Sequence, residues 1–107
     1  IRFCGRSLEA LRSFPAVTKR EAGYQLDRVQ HGFEPTDWKP MPSIGPGVRE
    51  IRIMNEGQFR VIYIAKLAKA VYVLHAFEKK TQKTRKQDID AAKQALKQLL
   101  QRGMSDE

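Results

Sequence analysis

A chain of 107 residues, 41% hydrophobic and carrying a formal charge of +8, has room for one small core and a surface that attracts anionic partners: nucleic acid, an acidic protein or an anionic membrane. Its single cysteine, Cys4, excludes an internal disulfide and any multi-cysteine metal cluster. Membrane is the weakest of the three partners, because no run of about 18 apolar residues is present and no signal-type segment opens the sequence, so a cytoplasmic location is expected.

Residues 1–5 alternate weakly and read as a strand stopped by Gly5, with Cys4 as a small buried hydrophobe rather than a reactive thiol. Ser7 is placed to cap a two-turn helix over residues 8–14, where Leu8, Leu11 and Phe14 recur at spacings of three. Pro15 suits the first position of a second helix, where its missing N–H costs nothing. That helix is expected from Ala16 to Gln30 and to stop at Gly32, with Ala22, Leu26, Val29 and Phe33 as its buried stripe. The two helices should form a hairpin covering one face of a sheet. His31, in the last turn, suits the helix dipole better than catalysis.

Residues Glu34 to Gly47 hold four of the five prolines and no sustained period, so they read as an ordered loop. Trp38 beside Lys39 pairs an indole face with an ammonium, which suits stacking on an RNA base; the alternative is a plug at the edge of a small core. From Val48 to Met54 the alternation sets Arg49, Ile51 and Ile53 on one face and Val48, Glu50 and Arg52 on the other. Ile51 and Ile53 mark the helix-covered side, so Arg52 faces the open one. Asn55 to Gln58 form a hairpin loop, Phe59 to Ala65 a second strand and Lys66 to Lys69 a turn. Ala70 to Phe77 is almost continuously apolar, as in a central strand buried on both faces.

Between Lys79 and Lys86 there are five Lys or Arg in eight residues and no acid, which puts a positive edge at the end of the sheet. Thr84-Arg85-Lys86-Gln87 has capping-box spacing, and Ile89, Ala92, Leu96, Leu99 and Leu100 form the stripe of a last helix over 86–101. Gly103 should stop it and Met104 to Glu107 should fray. The expected fold is α+β: an N-terminal helical hairpin packed on a small, mainly antiparallel sheet of three to four strands, with a C-terminal helix, all within one domain of residues 1–107.

Three stretches carry a resemblance: Gly47-Val48-Arg49-Glu50-Ile51-Arg52-Ile53, then Phe59-Arg60-Val61-Ile62-Tyr63, then the run from Val71 to Thr84. Together with the order of elements they resemble the HigB-type, phage Gp49-like branch of the RelE toxin superfamily, the segment Leu74 to Thr84 being the most diagnostic. The resemblance covers most of the chain. It implies a toxin of a type II toxin–antitoxin pair, an endoribonuclease that cuts messenger RNA on the translating ribosome without metal or cofactor. It also implies silencing by a helix-turn-helix, HigA-like antitoxin, through which alone the toxin reaches operator DNA.

Metal-free RNA cleavage makes the ribose 2′-OH attack the neighbouring phosphate, so the site must align the chain, accept a proton, stabilise phosphorane charge and protonate the leaving 5′-oxygen. Arg60 stands where the superfamily keeps an arginine on the scissile phosphate; strand parity puts it with Ile62 and Ile64, so a snorkelling surface arginine is the alternative. Arg52 matches a basic residue on the preceding strand, suited to phosphate binding or proton transfer, and Arg49 flanks it. Lys79, Lys80 and Lys83 match the basic segment after the last strand, as RNA contacts or, for Lys80 in particular, as proton donor; Arg85 and Lys86 extend that segment. His75 and Glu78 are the candidate bases. His75 otherwise reads as a satisfied core histidine and Glu78 as an ion-pair partner for Arg60 or Arg52. The tyrosine common near the C-terminus of RelE-like sites has no counterpart after Tyr72. Two readings from other classes also account for the charge: a non-catalytic nucleic-acid-binding module, and a protein-binding scaffold whose cations face an acidic antitoxin.

Overall fold

The computed structural model describes residues 1–66 and 70–102, the Lys66 side chain excepted. The elements are β1 (Arg2–Phe3), α1 (Ser7–Arg12), α2 (Ala16–Gln30), β2 (Trp38–Pro40), β3 (Val48–Met54), β4 (Gln58–Lys66), β5 (Ala70–Glu78) and α3 (Lys86–Arg102). Most of the expected turn at Lys66 to Lys69, the stop at Gly103 and the tail lie outside the described residues. The fold is α+β, as expected, but its sheet has five strands, in the order β1-β5-β4-β3-β2, rather than three to four. The additional edge strand comes from the proline-rich loop: Trp38, Lys39 and Pro40 pair antiparallel with Ile51, Glu50 and Arg49. Proline is tolerated there because an edge strand has one row of N–H groups with no ladder to join. At the other edge β1 runs parallel to β5.

Helices cover both faces. Leu11, Phe14, Ala22 and Leu26 of the hairpin pack on Ile51, Ile53, Phe59, Val61, Tyr63 and Val73. On the opposite face Ala92, Ala95, Leu96 and Leu99 of α3 pack on Val48, Ile62, Ile64, Tyr72 and Leu74. Strict alternation along β5 would send Tyr72 and Leu74 to one side and His75 and Phe77 to the other. A register shift prevents this: Tyr63 pairs with Val73 but Ile62 pairs with His75, so Leu74 is a bulged extra residue. Leu74 and Phe77 consequently lie in the same α3-side core.

Local details differ from expectation for identifiable reasons. Ser7 is the first helical residue rather than the cap, because its buried Oγ donates to the Val73 carbonyl at 3.0 Å. Pro15 is the N-cap of α2, with ψ at 152°, outside the helix proper. Phe33 is 62% exposed, since the chain turns away at Gly32 (φ +90°), and the ring packs under the Arg28 guanidinium instead. The hairpin loop after β3 places positive φ at both Glu56 (57°) and Gly57 (151°). Cys4 is buried, and burial pushes its thiol pKa up, which makes it inert.

The Ser7 hydroxyl ties α1 to β5 across the sheet edge. Replacing Ser7 by Ala should cost about 1 kcal/mol, because Val73 O keeps the Cys4 N–H as a partner, and should lower the midpoint of a thermal melt by about 5 °C with no change in circular dichroism at room temperature.

Candidate functional site

The antiparallel registers line up two cross-strand rows on the α3 face. One reads Lys39, Glu50, Ile62, His75 across β2, β3, β4 and β5; the next reads Arg52, Arg60, Phe77. The first turn of α3 lies over the His75 end of the first row, where Asp88 Oδ1 sits 2.8 Å from His75 Nε2 and Asp88 Oδ2 accepts from Arg85 Nε at 3.2 Å. The helix begins at Lys86, and of the second row only Phe77 joins its apolar core. What remains there is charge.

Arg52 and Arg60 stand directly opposite each other on adjacent strands. Like charges so placed repel, and Glu50 offsets them. Its carboxylate is fully buried and lies 3.6 Å from Arg60 Nε and 3.9 Å from Arg52 Nε. Both separations exceed a hydrogen bond, and neither carboxylate oxygen nor either Nε finds a hydrogen-bond partner among the described residues. The Arg60 side chain is 6% exposed and is aimed by bonds from Nη1 to the Phe59 carbonyl and from Nη2 to Gln58 Oε1. Burial lowers its pKa, with Glu50 opposing and Arg52 reinforcing the shift. Arg52 reaches further into solvent.

Beyond the second row, the backbone N–H of Lys79 bonds the Gln58 carbonyl at 2.7 Å, which extends the β4–β5 pairing past Glu78 and keeps Lys79 in parity with Phe77 and Arg60. Its ammonium pKa is held below the ordinary lysine value by desolvation first, then by Arg60, Lys39 and Arg52, with Glu50 opposing. Two open clefts meet at Lys79 and Gln82. One is walled by Gln58, Lys80 and Thr81; the other runs toward Lys39, Pro40, Ser43 and Lys83. Lys79 thus lines both clefts of a cationic groove, and the Arg52–Arg60 pair lies in the neighbouring cross-strand row, close enough to act on the Lys79 ammonium.

The structure separates the other sequence-predicted residues. Glu78 is not the partner of Arg52 or Arg60: it pairs with Phe59, so it lies on the hairpin-covered face, 4.0 Å from Lys80 Nζ. Arg49 and Trp38 share that same far face. The Arg49 guanidinium stacks 4.1 Å from the Trp38 ring centroid and lies beside Tyr63, whose phenol pKa burial raises. His75 is 19% exposed, bonded to Asp88 and stacked on Phe77, a satisfied histidine that pins α3 to β5. Lys80 is 72% exposed, Lys83 rims the groove, Arg85 is engaged with Asp88, and Lys86 pairs with Asp90 on the first turn of α3. Sequence reasoning gave Glu50 no role and joined Lys39 to Trp38, whereas the register sets Lys39 on the opposite face, beside Glu50. The signal for Glu50 was present: an acid on the same strand face as Arg52, two residues away.

Among the described residues no cluster of three or more His, Cys, Asp or Glu is placed to hold a metal ion, and no helix is long and apolar enough to cross a membrane. The fold and its groove define an α+β protein that gathers cationic side chains at one end of its sheet. The chain belongs to the phage-derived protein Gp49-like family (DUF891), a RelE/HigB-like, toxin–antitoxin-related family whose profile matches residues 9–97 and so includes every groove residue named above. No curated protein matches the chain.

The lowered Lys79 pKa has a sign that can be tested. The unfolded chain holds this proton more tightly than the folded one, so the ammonium destabilises the fold at neutral pH, and that penalty is lost as pH rises through the folded pKa toward 10.5. Replacing Lys79 by Met should raise the melting midpoint by about 2–4 °C near pH 7, equivalent to about 0.5 kcal/mol, and the gain should shrink near pH 10. Thermal melts of both proteins across that range check it.

Proposed function

We propose that this protein is the toxin of a type II pair and cleaves messenger RNA by attack of a ribose 2′-OH on its own phosphate. The observation that carries this reading is the Arg52–Arg60 pair with Lys79 beside it: two guanidinium groups set opposite each other by strand register next to a cationic groove. A phosphate seated there has its equatorial oxygens facing cations that need no reorganisation as the phosphorane forms. The new bond joins O2′ to phosphorus and the bond to O5′ breaks, which leaves a 2′,3′-cyclic phosphate on one fragment and a 5′-hydroxyl on the other.

Lys79 is the donor for O5′. Desolvation and the neighbouring cations lower its pKa, which makes it a better acid than an ordinary surface lysine. Lys80, directed toward Glu78, and Lys83 hold the flanking phosphates. The proton from O2′ passes to solvent, since His75 is committed to Asp88, Glu50 is sealed under the arginines and Glu78 faces the other side. The work of the site is charge stabilisation. Presentation of the message by the ribosome and neutralisation by a helix-turn-helix antitoxin belong to the same proposal, and both fit a net charge of +8. That none of His75, Glu50 and Glu78 is free to accept the O2′ proton favours the alternative, an RNA-binding module without catalysis.

Induced expression with mapping of message 5′ ends decides between them. The wild type should arrest growth and yield new 5′-hydroxyl ends, while Arg60→Lys and Lys79→Ala, each folded by circular dichroism, should lose about 10²-fold or more in cleavage. The descending alkaline limb of the wild-type rate profile should disappear in Lys79→Ala. A wild type that neither arrests growth nor yields new ends would sink the nuclease reading, and RNA affinity without cleavage would establish the binding module.

A further inference from the structure

Of the groups beside the groove, Glu50 is the one that no step of the proposed reaction uses, and it is the one whose position costs most. A carboxylate at 0% exposure, with neither oxygen hydrogen-bonded, is a penalty the fold would avoid by placing a hydrophobe there, as it does one residue further along with Ile51. Yet the pairing register sets this acid diagonally between two arginines that face one another, in nearly equal contact with both Nε atoms. We infer that Glu50 is a positioning residue: an internal counter-ion that offsets the charge of Arg52 and Arg60 where they face one another, Arg60 being aimed by its bonds to Phe59 and Gln58, and leaves the more exposed Arg52 guanidinium for a phosphate of the substrate.

The distances matter to this inference. A carboxylate in bidentate contact with a guanidinium occupies its fork and neutralises it. At 3.6 and 3.9 Å Glu50 screens the mutual repulsion of the arginines without a hydrogen bond to either Nε, and Arg52 Nε has no hydrogen-bond partner among the described residues. Glu50 and Asp37 against Arg52, Arg60, Lys79 and Lys39 also keep the local charge positive, so an anion is still drawn in. A phosphate and Glu50 thus act on the same pair from opposite sides: the acid from beneath, in the sheet, and the phosphate from the groove. Removing the acid should make the empty pair seek an external anion, while loosening the geometry that the reaction needs.

The inference rests on the nuclease reading for its catalytic consequence but not for its binding consequence, and the experiment separates the two. Inorganic phosphate is titrated against wild type and Glu50→Gln, with affinity read by calorimetry and stability by thermal melts, and RNA cleavage is measured in parallel. Glu50→Gln should bind phosphate about tenfold more tightly than wild type, the scale of one charge-assisted contact. Its melting midpoint should be lower without phosphate and recover as phosphate is added, and kcat for cleavage should fall at least tenfold with KM for RNA unchanged or lower. Phosphate affinity equal to or weaker than wild type, or a melting midpoint that phosphate does not restore, would overturn the assignment. If Glu50→Gln does not fold in any phosphate concentration, the charge-balanced Glu50→Gln/Arg52→Gln double variant decides: a folded double variant supports the counter-ion role and an unfolded one refutes it. Tighter phosphate binding in a protein whose wild type never cleaves RNA would retain the counter-ion and discard the nuclease.

Discussion

The register shift in β5 is the constraint on which the two faces of this sheet depend. By inserting Leu74 as an extra residue, it lets Tyr72 and Leu74 complete the core under α3 and still turns His75 and Phe77 to the same side. Without it, His75 would point into the hairpin face, Asp88 would lose the ring that anchors the first turn of α3, and the basic segment leading into that helix would have no fixed end. A single irregularity therefore sets where the helix starts. Where the helix starts decides how much of the sheet is left open.

The open part is a charged surface built on β-sheet regularity. Alternation and register, not loop conformation, place Lys39 beside Glu50 and Arg52 beside Arg60, and the β4–β5 pairing carried on to Lys79 brings the third cation into the same row system. Sites mounted on strands hold their geometry more closely than sites on loops. Lys80 and Lys83 instead sit on the connection between β5 and α3, outside the strand ladder.

Much of this was legible in the sequence because it followed from period. Helix α2, the three long strands and α3 all came from apolar spacing, and parity alone put Arg52 on the side away from Ile51. Arg60 was legible as a site residue through its resemblance, yet its burial was not, because nothing in the strand pattern announces that a guanidinium will be enclosed by Glu50 and its own backbone. The short edge strand β2 escaped notice since three residues ending in proline carry no period. Glu78 was misplaced for a subtler reason. It follows the bulge, and one inserted residue reverses the face of everything after it. Local spacing cannot reveal a bulge whose cause is the fit of distant side chains under a helix.

Trp38 is the only tryptophan in the chain, and the Arg49 guanidinium lies over its ring on the face of the sheet turned away from the groove. Its neighbour Lys39 projects the other way, into the groove itself. Edge strand β2 thus carries an intrinsic fluorophore and a groove cation on consecutive residues, one on each side of the same ribbon. An occupant of the groove would therefore meet β2 through Lys39 on one face, while the indole and the guanidinium over it lie on the other.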